Sequence, residues 1–259
     1  MFSIYEISQE EHEMIVRAND QFGLIFEVCL EAIELSWTFT KNYQISAWIF
    51  AGFLSQTNNS LYLAFLSLIR RHTVQTSFNL RLSIESAVLA CYALYNPKID
   101  SFAIKNDQGS MVEKSGVKSK ANNWIENNYK DMSDTIHVYK KQINSKFAHS
   151  SILSAFGNFE LSEENYQGVS WIFDRTEDRD IHFQLLSLVN LVLIQVEMFY
   201  RVIKDYPIVG IVDDFTSRYE KIHGTVTLLN DFYKLIAEEL AKGEEVEIPI
   251  LRTLNEEET

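Results

Sequence analysis

The sequence is short of the residues that break helices. Its 259 residues include only 9 Gly and 3 Pro, which is well below the roughly 12% combined share of an average protein. Because glycine and proline mark turns and helix ends, their scarcity predicts an all-α protein, a bundle of about seven to nine helices. One long loop is expected near residues 154–179. Residues 1–243 are predicted to form a single helical domain, and residues 244–259 an acidic tail whose disorder the sequence leaves open.

Cysteine is also scarce. The two cysteines, Cys29 and Cys91, lie among apolar neighbours and show no C-x-x-C spacing. Secreted disulfide scaffolds use many more cysteines, and metal sites use closer pairs, so we expect two buried free thiols. The first residues are acidic and lack the apolar stretch of a signal peptide. These features together predict a cytoplasmic protein.

Basic residues are also fewer than acidic ones. The chain has 23 Lys and Arg against 36 Asp and Glu, a net charge of −13, which disfavours general binding to nucleic acids or anionic membranes. The longest apolar run, residues 181–200, is interrupted by Gln184, Asn190, Gln195 and Glu197, so no membrane span is expected. Residues 98–146 are the exception, with nine Lys and six acidic residues. A solvated surface is the ordinary interpretation of this segment, and an anion-binding patch is the alternative.

Apolar residues at helical spacing place the helices. A short first helix is predicted to begin at the S-x-x-E capping-box pattern of Ser8, and a second to run from Asp20 to Lys41. The most central helices are predicted at Val74–Tyr95, which has no clearly charged face, and at Ile181–Asp205, which is apolar around nearly its whole circumference. Residues 98–120, rich in Lys, Ser and Gly, are predicted to form a mobile connection.

Two opposite charges stand out in the first of these central helices. The stretch NLRLSIESAVLACY carries just two charged side chains, Arg81 and Glu85, which lie four residues apart and face the same way. Since the helix has no charged face, we expect neighbours to surround it and to bury the pair substantially. The pair either fixes how helices meet, as in a purely structural subunit, or lines a pocket and orients a third polar group.

A second polar stretch, SKFAHSS, supplies a candidate for that third group. It contains Ser145 and His149, and a histidine flanked by hydroxyls can serve as a base, a ligand or a pH-sensitive contact. Arg-x-x-x-Glu on an apolar helix, followed later by Ser-x-x-x-His-x-Ser, resembles a bacterial helical family classed as a domain of unknown function. The resemblance covers about residues 61–151. It implies an all-helical bacterial protein in which Arg81, Glu85 and His149 meet in space, and it implies no established activity.

The leading prediction is therefore a binding or interaction protein. Its polar pocket would be lined by Arg81, Glu85, His149 and Ser145, and its partner would be an unidentified small molecule or protein. The sequence names neither the ligand nor the oligomeric state.

The alternative is a metal-independent ribonuclease. Arg175 and His182, separated by six residues, resemble the Arg–His motif of prokaryotic helical nucleases of the higher-eukaryote-and-prokaryote nucleotide-binding type, which include toxin and defence proteins. His182 would act as general base on a ribose 2′-OH while Arg175 steadies the phosphate. Three acidic residues within the motif oppose RNA binding. The two side chains would have to converge in an exposed groove across a homodimer, a state that the sequence leaves open.

No cofactor and no metal are expected. Glu220-x-x-His223 and, in part, Asp134-x-x-His137 match the Glu-x-x-His motif of di-iron bundles. Capping and surface roles explain these residues more simply. No Gly-x-Gly occurs, which removes the phosphate-binding and dinucleotide-binding fingerprints.

Overall fold

The computed structural model describes residues 3–146, 159–161, 168–243 and 246–252. In this described part the predicted all-α bundle is confirmed, with eight α-helices and only short strands. The helices are α1 (Ile4–Phe22), α2 (Leu24–Thr38), α3 (Trp48–Ile69), α4 (Thr73–Tyr95), α5 (Val117–Asn128), α6 (Lys130–Lys146), α7 (Asp178–Asp205) and α8 (Phe215–Ala241).

The short strands pair two by two, and all three described pairs are antiparallel. They are β1 (Thr40–Lys41) with β6 (Gly210–Ile211), β2 (Ala103–Lys105) with β3 (Met111–Glu113), and β4 (Phe159–Leu161) with β5 (Gly168–Ser170). The β2–β3 hairpin lies in the connection for which the sequence predicted mobility. The β4–β5 pair lies in the predicted long loop near residues 154–179, which ends where α7 begins.

The start of the chain differs from the predicted arrangement. The N-cap of α1 is Ser3, five residues earlier than Ser8, because Ser3 and Glu6 form a complete capping box. The Ser3 backbone N–H donates to Glu6 Oε2 at 2.7 Å, and the Glu6 N–H donates to Ser3 Oγ at 3.2 Å. The prediction of one helix from Asp20 to Lys41 was wrong. Gly23 adopts a positive φ of 55° and separates α1 from α2, a backbone conformation that glycine reaches without strain.

The C-terminal segment lies against this break. The backbone N–H of Leu24 donates to the carbonyl oxygen of Leu251 at 2.7 Å, so a residue near the end of the chain satisfies a donor in the first turn of α2. A Cβ atom at position 23 would lie 2.2 Å from the same carbonyl oxygen. Val246, Ile248 and Leu251 pack against the core.

Helices α4 and α7 are central, as predicted. Helix α7 packs against α2, α3, α4, α6 and α8, and α4 packs along α3 and also contacts α5 and α6. Phe199 of α7 lies in a buried aromatic cluster, with its ring centroid 6.0 Å from the rings of Phe39 and Phe50. Cys29 and Cys91 are buried and free, also as predicted.

Helix α7 is long and apolar enough to cross a membrane by length and composition alone. It is the one such helix in the described ranges, and 67% of its most apolar window is buried inside the protein. A central core helix meets the same criterion, and the packing of α7 against five other helices accounts for its composition.

Candidate functional site

Arg81 and Glu85 lie on the stripe of α4 that faces α5 and α6. Arg81 Nε donates to Glu85 Oε1 at 3.1 Å, as the four-residue spacing predicted. The side chains are 37% and 27% exposed, so the pair is half-buried and more accessible than the sequence led us to expect. The reason is that α5 and α6 cover this stripe while leaving a cavity beside the pair.

Two further side chains hold the pair. Lys118 at the start of α5 donates from Nζ to Glu85 Oε2 at 3.0 Å, so Glu85 is shared by two cations. Asn144 near the end of α6 accepts a hydrogen bond at Oδ1 from Arg81 Nη1. The Glu85 carboxylate thus links α4 to α5, and the Arg81 guanidinium links α4 to α6.

The two other residues of the predicted pocket lie at the edge of the described structure. Ser145 belongs to the last turn of α6, next to Asn144, but its side chain is outside the described part. His149 is outside the described residues altogether. The meeting of Arg81, Glu85 and His149 therefore stays a prediction.

A cavity of about 240 Å³ opens between α4, α5 and α6. We call it the polar cavity. It is lined by three cationic side chains and one carboxylate, which gives a formal net charge of +2, together with two amides and two apolar side chains. The lining residues are Arg81, Glu85, Val88, Leu89, Lys118, Asn122, Lys140 and Asn144.

Lys140 is the cation in this cavity that lacks an acidic partner. Its half-buried side chain donates from Nζ to Asn122 Oδ1 at 2.9 Å, and among the described residues no carboxylate oxygen lies within 4.0 Å of it. Burial lowers the pKa of Lys140, the more distant charge of Glu85 partly opposes that shift, and Arg81 reinforces it. The ammonium group is therefore less stable here than at the surface.

Asn122 fixes the position of this lysine. Its side-chain amide donates from Nδ2 to the carbonyl oxygen of Lys118 at 2.7 Å, one turn earlier in α5. Its Oδ1 is thereby turned toward Lys140 Nζ. Both ends of the amide are engaged, so the lysine is oriented before any ligand arrives.

Glu85 responds differently to the same surroundings. Burial raises its pKa, but hydrogen bonds from Lys118 and Arg81, with the charges of both, outweigh burial and lower the pKa overall. Glu85 is thus ionised at neutral pH. A carboxylate that two cations share is a poor general base, so the arrangement suits the binding of an anion better than proton transfer.

Arg175 and His182 do not line a common cavity among those described. His182 is buried at 4% exposure, its Nδ1 lies 2.7 Å from Tyr233 Oη, and its ring meets Phe22 edge-on. Burial lowers the pKa of His182, and nearby Asp178 partly opposes this. The Arg175 guanidinium lies 5.8 Å from the centre of the Trp171 ring and lines another cavity. The geometry gives no support to the ribonuclease pairing, which stays a prediction.

The residues that match a di-iron motif in the sequence do not come together as a metal site in the described structure. Among the residues that the structure describes, no group of three or more His, Cys, Asp and Glu side chains is placed to hold an ion. Glu220 and His223 are exposed on α8, where the His223 ring stacks on Tyr219 at 5.8 Å.

Four polar residues of the cavity escaped the sequence argument: Lys118, Asn122, Lys140 and Asn144. One signal was available, because all four lie within residues 98–146, the segment with excess lysine. The pattern of α5 and α6 alone does not tell which of their lysines turn toward Arg81 and Glu85.

Comparison with known proteins adds no name, since no family model, no curated protein and no solved structure matches this chain. The resemblance to a bacterial helical family stays a prediction, as do the bacterial origin and the cytoplasmic location.

Proposed function

We propose that this protein is a binding protein for a small anion, which occupies the polar cavity between α4, α5 and α6. The observation that carries the proposal is Lys140, a half-buried cation with a lowered pKa and no carboxylate partner in the described part of the chain. An anion beside Nζ would favour its charged form and offset the cost of burial.

The charge of the cavity supports the same ligand. Glu85 neutralises one of three cations, which leaves a formal excess of two positive charges to be matched. The Arg81 fork and the Lys140 ammonium are donors that suit phosphate and carboxylate oxygens. The excess is local, because the whole chain carries a net charge of −13.

The size of the cavity limits the ligand. Its volume of about 240 Å³ corresponds to about eight water molecules at roughly 30 Å³ each. Inorganic phosphate, a short dicarboxylate or a small phosphate monoester fits this volume, whereas a nucleotide or a folded protein segment does not. The ligand class is therefore a compact anion of one or two charges.

The test is calorimetric titration of the full chain with inorganic phosphate and with succinate, comparing wild type with Lys140→Gln. The substitution removes one charge while leaving a polar side chain that can still donate hydrogen bonds. We expect wild type to bind at least one of the two anions, and Lys140→Gln to weaken that binding about tenfold or more, or about 1.4 kcal/mol.

The matched control is Lys141→Gln. Lys141 is the next residue of the same helix, is exposed, and does not line the polar cavity, so its loss changes the net charge equally without touching the site. Equal weakening by the two substitutions, or no binding of either anion to wild type, would contradict the proposal.

A further inference from the structure

A second and larger cavity lies on the other side of the contact between α4 and α6. It measures about 660 Å³ and opens between α4, α6 and α7; we call it the large cavity. Consecutive residues of α6 divide between the two sites: Tyr139 and Ile143 line the large cavity, whereas Lys140 and Asn144 line the polar cavity. The volume is within the roughly 300–1,000 Å³ usual for small-molecule sites.

Uncharged polar side chains from three helices meet at the large cavity. Four of them are Ser77 of α4, Tyr139 of α6, and Gln184 and Ser187 of α7. None of these four side chains hydrogen-bonds to another group within the described ranges. Ser77 is buried, and Tyr139 and Gln184 are half-buried, so their polar groups have limited access to solvent except through the cavity. Solvent reaches these groups through the cavity, so a ligand that displaces water there must replace the hydrogen bonds of that water.

The rest of the lining is uncharged or balanced in charge, and Thr73, Thr76, Gln142 and Thr176 add further polar groups. Leu80, Ile143 and Leu191 supply aliphatic surface, and Phe183 supplies an aromatic ring. One cation, Arg175, and one carboxylate, Asp180, cancel in formal charge, in contrast to the excess of two in the polar cavity. The lining therefore favours an uncharged ligand.

From this lining we infer that the large cavity binds an uncharged heteroaromatic compound of nucleoside size. The aliphatic surface and the Phe183 ring contact the faces of the heteroaromatic ring. Hydroxyl and amide side chains both donate and accept hydrogen bonds, so the four polar groups match a compound that carries both kinds of group on its edge. This site is independent of the anion proposed for the polar cavity.

Adenosine, uridine and caffeine are the probes, observed by saturation-transfer NMR with the full chain and then titrated by calorimetry. We expect at least one of them to bind with a Kd of about 1 mM or tighter. Ser187→Leu places an aliphatic side chain at the exposed edge of the cavity without altering the core, and should weaken that binding about tenfold or more.

Two control variants test whether the probe binds in the large cavity itself. Ser55→Leu makes the same change at an exposed position of α3 that lines neither cavity and should leave the affinity unchanged. Lys140→Gln should also leave it unchanged, which distinguishes this site from the polar cavity. Failure of all three probes to bind wild type, or equal binding to wild type and Ser187→Leu, would overturn the inference whether or not phosphate binds elsewhere.

Discussion

Lys140 and Glu85 line the same cavity, and burial disfavours the charged form of both. Only Glu85 has neighbours that outweigh this effect on its pKa. Glu85 has two cations within hydrogen-bonding distance, and these more than offset its loss of hydration. Lys140 has an amide as its nearest polar partner, so its loss of hydration dominates. At the scale of the residue, the site is therefore defined by two charges: Glu85 is paired with cations, whereas Lys140 has no carboxylate partner among the described residues.

The unpaired lysine predicts proton uptake on anion binding. In the free protein the pKa of Lys140 is lowered, and a bound anion raises it again by favouring the ammonium form. At alkaline pH, where free Lys140 is partly deprotonated, each binding event should take up a fraction of a proton, and the affinity should fall as pH rises through the lowered pKa. Calorimetry in two buffers of different ionisation enthalpy measures this uptake.

Lys140→Gln is the control, because it leaves the other two cations of the cavity in place. Proton uptake should disappear in this variant. Uptake of the same size in wild type and variant would mean that another group titrates, and would contradict the role given to Lys140.

At the scale of the element, the break between α1 and α2 shows how a single glycine sets helix geometry. Apolar spacing continues through this region, so periodicity alone predicted one helix across it. Gly23 interrupts that helix with a positive φ and brings its Cα against the Leu251 carbonyl. Phe22, Ile25 and Cys29, which lie on both sides of the break, are all buried in the core.

Gly23→Ala should be strongly destabilising. An alanine at this φ costs about 1–2 kcal/mol, and its Cβ would also overlap the Leu251 carbonyl oxygen, which must move. We expect the free energy of unfolding, measured by urea denaturation, to fall by at least that amount.

Gly224→Ala is the matched control within a helix. Gly224 lies in α8, and a Cβ there would meet no atom within 4 Å, so alanine should stabilise the protein by about 0.5–1 kcal/mol through its helix propensity. A similar loss of stability in both variants would contradict the strain assigned to Gly23.

The sequence predicted the central helices α4 and α7 well, because apolar residues at 3.6-residue spacing are a local signal. It placed the first helix too late, since Ser3 and Ser8 both open an S-x-x-E pattern and only the fold selects between them. The Arg81–Glu85 pair was likewise a local feature. Its neighbours Lys118 and Asn144 come from helices that are distant in sequence, and single-sequence periodicity does not determine how such helices cross.

At the scale of the whole molecule, the core is organised around α7. Phe199 illustrates its role, because the ring is fully buried and meets Phe39, which precedes β1, and Phe50 of α3. Residues from three separate parts of the chain thus converge on one side chain. The charged surface and the two cavities lie outside this aromatic cluster.

Phe199→Ala should therefore reduce the free energy of unfolding by about 3–5 kcal/mol, the usual cost of removing a fully buried ring. Urea denaturation measures it. Phe78→Ala removes an identical ring from α4 at a position that is 53% exposed and should change stability by only about 0.5 kcal/mol. An equal loss of unfolding free energy in the two variants would contradict the central role given to the Phe199 ring.

The hydrogen bond between Leu24 and Leu251 also has a consequence for synthesis of the chain. Its donor and its acceptor are 227 residues apart in the sequence. A ribosome releases residue 24 long before residue 251 has been translated, and chains are built from the N-terminus onward. The amide in the first turn of α2 therefore stays hydrated until residue 251 has been translated and has left the ribosome.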